Sequence, residues 1–199
     1  MRLQLQTWCE VERYLGEQTG IIIPIGSTEQ HGPNGLIGTD ALTAEKVAQT
    51  IGEEHHIMVA PTINVGMAQH HMAFAGSMSL RPSTLLAVIE DTITSLATHG
   101  FTHLMFVNGH GGNVATLNSA YSEYYAHYSF AGETCPVKCQ TVNWYTGSRV
   151  SRLSRELYPG AEGHHATPSE VAFTYFLYPE QVKNVELDPE IAPFGEIRD

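Results

Sequence analysis

The chain has little cysteine, little positive charge and no long apolar run. Its three cysteines, Cys9, Cys135 and Cys139, cannot build the disulfide framework on which small secreted domains rely. Cys135 and Cys139 have neither a second cysteine pair nor a closely spaced histidine, so a thiolate zinc site has no support. A reduced, cytoplasmic chain is the expectation. Ten Lys and Arg against twenty-one Asp and Glu give a formal charge of −11. Nucleic acid and anionic membrane both reward clustered cations, so neither is expected as a partner. No stretch approaches the roughly 18 apolar residues of a membrane helix, and Met1 to Gln6 lack the apolar core of a signal peptide. What is present is an ordinary apolar share, 42% of 199 residues. That suits one α/β domain with a full core, spanning residues 1–199. Eleven histidines are many for this length.

Periodicity supplies the elements. Thr7-Trp8-Cys9-Glu10 has capping-box spacing and opens a short helix to about Leu15. Ile21 to Ile25 reads as a buried strand. A helix from about Asp40 to Glu53 carries Ala41, Ala44, Val47, Ala48 and Ile51 on one face. Ile57 to Ala60 is the second strand. A long loop from Pro61 to Arg81 holds Gly66, His70, His71 and Gly76, and such loops are often functional. Pro82 fits a helix first turn, followed by the stripe Leu85, Leu86, Ile89, Ile93 and Leu96. His103 to Asn108 is the third strand, and Gly112-Asn113 opens a helix to about Tyr128. Val137 to Val142 is the fourth strand, leading into Asn143-Trp144-Tyr145. A last helix spans about Ser169 to Leu177, and the chain beyond Glu180 reads as peripheral. Four strand–helix alternations predict a largely parallel sheet with helices on both faces, a three-layer α/β/α fold. Ligands of such sheets bind beyond the carboxyl ends of the strands, where Glu29, His71, His110 and Trp144 all fall.

Gly26-Ser27-Thr28-Glu29-Gln30-His31-Gly32, followed by Asp40, is the most informative run. Glu29, His31 and Asp40 are hard and borderline ligands, the set expected for Zn²⁺, Mn²⁺ or Fe²⁺. The plain alternative for Asp40 is capping the helix it precedes. A buried Glu29 needs a partner, and a cation is the simplest. In Asn108-Gly109-His110-Gly111-Gly112-Asn113, His110 is a further candidate ligand, unless the run is only a tight turn. Gly111 and Gly112 aim backbone N–H groups outward at a helix start, where they could bind phosphate or an oxyanion. The dinucleotide fingerprint lacks its third glycine. No Gly-x-Ser-x-Gly elbow exists, which argues against a serine hydrolase. In Gly163 to Glu170, Glu170 fits a capping box with Thr167 and Pro168 as well as a metal ligand. His165 is a proton shuttle or a surface residue. Trp144 fits a substrate pocket or ordinary core packing.

These segments resemble the creatininase, or creatinine amidohydrolase, family. The matching residues are Ile23 to Gly32, Gly38-Thr39-Asp40, then Gly66, His71, Phe74, Gly76 and Ser77, then Asn108 to Asn113, and His165-Ala166 with Glu170. The resemblance runs from about Thr7 to Leu177. It implies a metal-dependent amidohydrolase with one or two divalent ions, cleaving a non-peptide C–N bond, such as a cyclic amide or a formamide, by a metal-activated hydroxide. Within the family the alternatives are a deformylase or a peptidase. Outside enzymes the alternative is a binding protein that kept the fold. By motif position one ion takes Glu29, Asp40 and His110; the other takes His31 with Asp40 bridging and a further glutamate. Creatininase places that glutamate two residues after the histidine of its third motif, where this chain has Gly112, so a second ion would borrow Glu170, bind weakly or be absent. Thr167-Pro168 stands where relatives often have Gly-Glu. His165 would deliver a proton to the leaving nitrogen. His71, Gly111, Gly112, Trp144 and Tyr145 would contact a small-molecule amide. The resemblance also implies a homo-oligomer, with a hexamer among the expected assemblies.

Overall fold

Apolar β-branched runs set the centre of the molecule. The computed structural model describes residues 1–186. β1 (Gly20–Ile25) and β3 (His103–Asn108) lie at the middle of a four-stranded parallel sheet. β2 (Met58–Val59) flanks β1 and β4 (Lys138–Asn143) flanks β3, in the order β2-β1-β3-β4. Ile21, Ile23 and Ile25 face one side of the sheet and Ile22 the other, the two-residue period of a strand covered on both faces. Pro24, which has no N–H, falls past the end of β2, where its carbonyl accepts the Ile63 N–H at 3.0 Å.

The described residues form six α-helices: α1 (Trp8–Leu15), α2 (Thr39–Glu54), α3 (Pro82–Thr98), α4 (Asn113–Ala131), α5 (Ser148–Leu157) and α6 (Pro168–Leu177). Tyr14 of α1, Leu85, Ile89 and Ile93 of α3, and Leu117 and Ala120 of α4 pack with Ile21, Ile23, Leu104 and Phe106. On the opposite face Ala44 and Ala48 of α2 pack with Ile22, Val59 and Val107, and α6 packs against α2. The arrangement is the three-layer α/β/α fold that the alternation predicts. The capping box at α1 is formed: the Glu10 carboxylate accepts from both the backbone N–H and the hydroxyl of Thr7 at 2.7 Å.

Some boundaries differ from the sequence reading. The second strand is only Met58–Val59, because the ladder is interrupted at Pro61 and Thr62 before Ile63 rejoins β1. The fourth is shifted one residue, to Lys138–Asn143. α5 was not expected, since its segment is mostly polar and carries no capping side chain. The peripheral C-terminal stretch is described only to Glu186; residues 187–199 lie outside the described part.

The register sets Ile25 beside Asn108 and Asn108 beside Asn143. Three strands therefore end level, and their loops leave from one rim. β1 connects through α2 to β2 on one side while β3 lies on the other. The β1–β3 boundary is thus the topological switch point where ligands of such sheets bind. Gly109 makes the close approach there possible, because a Cβ at that position would collide with the Asp40 backbone at the start of α2.

Candidate metal centre

Glu29 and His31 are alternate residues of the loop leaving β1. Asp40 is the second residue of α2, His110 follows β3, and Glu170 sits in the first turn of α6. Asp40 is therefore inside its helix, with Gly38 as the capping residue, and it does not cap. Glu29, His31, Asp40 and His110 are all buried. The Asp40 carboxylate spans two histidines: Oδ1 lies 3.0 Å from His31 Nε2, and Oδ2 lies 3.1 Å from His110 Nδ1. His110 Nδ1 is also 3.1 Å from Glu29 Oε1, and His31 Nε2 is 3.3 Å from Glu170 Oε1. Two triads result, Glu29–Asp40–His110 and His31–Asp40–Glu170, with a third grouping of Glu29, His31 and His165 beside them. None contains a cysteine.

The outer nitrogens decide the chemistry. His110 Nε2 lies 2.8 Å from the Met67 carbonyl, and His31 Nδ1 lies 3.1 Å from the Glu29 carbonyl. A carbonyl only accepts, so each neutral ring carries its proton on the outer nitrogen. The inner nitrogen of each then holds a lone pair between two carboxylates. Both Glu29 oxygens and Asp40 Oδ2 are buried with no hydrogen-bond partner. Lone pairs and orphaned anions facing one another require cations, and outer nitrogens tied to carbonyls are how metal-ligating histidines are oriented. The donor set fits one or two divalent ions of the zinc, manganese or iron type.

Without ions, protons fill the same need. Burial alone would lower the pKa of both rings, but hydrogen bonds and charge from Asp40 with Glu170, and from Asp40 with Glu29, hold His31 and His110 up at about 10. Burial would raise Asp40, yet the two imidazoles keep it below the usual carboxylate range. His71 is different. Burial pushes it down to about 4, against the pull of Glu29.

Glu170 serves in two ways at once. Oε2 accepts the Thr167 hydroxyl at 3.0 Å, Thr167 Oγ1 accepts the Glu170 N–H at 3.4 Å, and Oε1 faces His31. Cap and ligand were alternatives in the sequence; Oε2 takes the cap, and Oε1 is left on the side of His31. Gly112 has a local reason as well, since a Cβ there would strike His110 Nε2 and the Met67 carbonyl. His165 is half-buried, with Nδ1 3.7 Å from Glu29 Oε1, and Ala166 after it holds a left-handed φ of 50°. His71 is buried, with Nε2 3.4 Å from Glu29 Oε1. Trp144 is partly buried edge-on to Tyr145 and Phe173, and its indole N–H has no partner. The Tyr145 hydroxyl lies beside Gly111, and burial with Asp40 and Glu170 nearby pushes it up to about 12.

The residues that hold these groups have no role in the sequence reading. Asn113 Oδ1 accepts the Met67 N–H at 3.0 Å, and its amide donates to the Gly26 carbonyl at 3.0 Å. Asn108 accepts the His110 N–H at 3.2 Å and donates to Asn143 at 2.8 Å. Gln30 lies between His71 and His165. Apart from the local bond between Asn108 and His110, each partner is far off in the chain, so no local spacing signals the link.

The creatininase family model, described as creatinine amidohydrolase, matches residues 4–197. The mycofactocin precursor peptide peptidase of Mycobacterium tuberculosis (strain CDC 1551 / Oshkosh) is 34% identical over 149 residues, 70% of this chain and 59% of that protein. The creatinine amidohydrolase of Pseudomonas putida is 26% identical over 186 residues, 88% and 71% of the two chains. A solved structure described as "Creatininase Mn" superposes with a TM-score of 0.83 at 26% identity, covering 92% of this chain and 74% of that one. The chain thus spans less than two thirds of the length of the curated peptidase.

Proposed function

The chain belongs to the creatininase family, and on that premise we propose that it is a metal-dependent amidohydrolase of small-molecule amides. One observation carries the reading: two buried histidines, each tied outward to a carbonyl, turn their inner nitrogens between pairs of carboxylate oxygens, and the two oxygens facing His110 have no hydrogen-bond partner. Glu29, Asp40 and His110 would hold one ion; His31, Asp40 and Glu170 would hold another. Manganese is favoured by the relative solved with it, and zinc suits the same donors. A divalent ion, when bound, lowers the pKa of water towards neutrality and polarises a carbonyl.

The chain's own groups handle protons and orientation. His165 keeps its proton on Nε2, 2.7 Å from the Gln30 carbonyl. Its Nδ1 is free to take a proton from attacking water and return it to the leaving nitrogen. Tyr145 stays protonated through the neutral range, so its hydroxyl can donate to charge growing on the substrate oxygen. His71 remains neutral and donates from Nε2 towards Glu29. Trp144 and Tyr145 would border the substrate.

A non-peptide C–N bond, as in a cyclic amide or a formamide, is the first substrate class. A short peptide is the second, favoured by the higher identity to the peptidase. A homo-oligomer, hexameric in the first instance, and a reducing cytoplasmic setting for three free cysteines complete the proposal; nucleic acid and membrane have no part in it. The test is a substrate panel. Protein stripped of metal and reloaded with Mn²⁺ or Zn²⁺ is incubated with creatinine, other cyclic amides, formamides and short peptides, and products are read by mass spectrometry. Turnover of an amide that disappears on chelation and in Asp40→Ala supports the reading. Turnover that survives both removes the metal from it.

A further inference from the structure

Glu29 and His31 point into the cluster, and the residue between them touches two further histidines. Gln30 Nε2 lies 3.0 Å from His71 Nδ1, and the Gln30 carbonyl lies 2.7 Å from His165 Nε2. The Gln30 backbone N–H is itself held by Ser77 Oγ at 3.2 Å. We propose that Gln30 is a positioning residue: its side-chain amide and its backbone carbonyl fix which ring nitrogen of His71 and of His165 carries the proton.

The orientation of the amide is set by Gly32, whose N–H donates to Gln30 Oε1 at 2.8 Å. The other end of the side chain is therefore the NH₂ group, and it can only donate to His71 Nδ1. An imidazole nitrogen that accepts is unprotonated, so neutral His71 carries its proton on Nε2, 3.4 Å from Glu29 Oε1. At His165 the logic runs the other way. A carbonyl accepts, so Nε2 carries the proton and Nδ1 turns its lone pair towards Glu29 Oε1, 3.7 Å off. His165 Nε2 also lies 3.0 Å from the Gln30 amide nitrogen; the shorter contact, 2.7 Å to a carbonyl that can only accept, requires the proton on Nε2, so the second amide hydrogen is not accepted there. One residue thus leaves His71 with an N–H, and His165 with a bare lone pair, on the side that faces the same carboxylate oxygen. The two rings stack with centroids 4.3 Å apart, so neither can turn without the other.

The proposal deepens the hydrolase reading but rests on it only for its kinetic consequence. The structural claim is read by two-bond ¹H–¹⁵N correlation spectra of histidine-labelled, ion-free protein at pH 8, assigned with His71→Asn and His165→Asn variants. Wild-type His71 should show an unprotonated Nδ1 and a protonated Nε2, and His165 a protonated Nε2. In Gln30→Glu a carboxylate replaces the amide donor, so His71 Nδ1 should become protonated. His165 should keep its pattern, because its partner is backbone. Gln30→Met should lose the single His71 tautomer. A protonated His71 Nδ1 in the wild type overturns the proposal, even if every variant fails to fold. So does an unchanged His71 pattern in Gln30→Glu. If a substrate is known, Gln30→Met should lose about 10–100-fold in kcat/KM with metal content unchanged. Absence of any turnover bears on the hydrolase reading alone, since the spectra require none.

Discussion

Glu170 shows how a single carboxylate can be tested when it has two duties. Replacing it with Gln keeps an acceptor for the Thr167 hydroxyl but removes the negative charge facing His31. Glu170→Gln should therefore lose one metal equivalent by elemental analysis, while the ion-free protein keeps its cap and, compared above about pH 10 where His31 is neutral, melts within a degree or two of wild type. Full retention of two ions with unchanged affinity would leave Glu170 as a cap alone. His31 and His110 give a pH prediction at the same scale. Their folded values, about 10, lie above the ordinary 6.5. The stability they contribute is thus complete below about pH 6.5 and is lost as pH rises through about 10. Ion-free protein should lose melting temperature across that interval, and metal-loaded protein should keep it, because its histidines are already unprotonated. Loading at pH 8 should accordingly release about two protons per chain, measurable in weakly buffered solution.

At the level of elements, the start of α4 matters more than its length. Asn113, its first residue, holds the Met67 N–H and the Gly26 carbonyl, and Met67 in turn holds His110. Asn113→Ala leaves two buried backbone groups without partners. It should cost about 1–3 kcal/mol in denaturant unfolding and also weaken metal binding, although the Asn113 side chain hydrogen-bonds to no candidate ligand. Unaltered metal affinity at reduced stability would show that the Met67 loop is held by other means. The elements themselves were readable to different degrees. β1 and β3 announce themselves through unbroken apolar runs bounded by turn residues, and both occur as expected. α2 and α3 follow their stripes, and α4 starts where Gly112-Asn113 opens it. α5 was not read, although Val150, Leu153 and Leu157 fall at helical spacing, because the rest of its segment is polar and no cap marks its start. The ligand candidates were visible because they follow strand ends. The roles of Asn113 and Gln30 were not, because their side-chain partners lie dozens of residues away and leave no periodicity.

For the whole molecule, several large apolar side chains remain exposed among the described residues. Leu153 and Leu157 of α5 and Phe176 of α6 are between half and four-fifths exposed. α5 packs chiefly on the turn at Trp144–Thr146, the same turn that carries two candidate substrate contacts. Association through α5 and α6 would bury these side chains and steady that turn. Sedimentation equilibrium should give a mass that is an integral multiple of 21.9 kDa, and Leu153→Glu with Phe176→Glu should shift it downward. A monomer at micromolar concentration would remove assembly from the proposal.

The absence of any thiolate from the centre has a consequence for handling the protein. Imidazoles and carboxylates of this kind bind most first-row divalent ions, in an order set by the metal more than by the site. Nothing in Glu29, His31, Asp40, His110 and Glu170 selects manganese against zinc or iron by ligand softness. The ion recovered on purification should therefore follow the growth medium. Batches raised with different metal supplements should differ in occupancy and in rate while sharing one sequence and one fold. The physiological ion is then a property of the cell's metal supply, and has to be sought there rather than in the isolated protein.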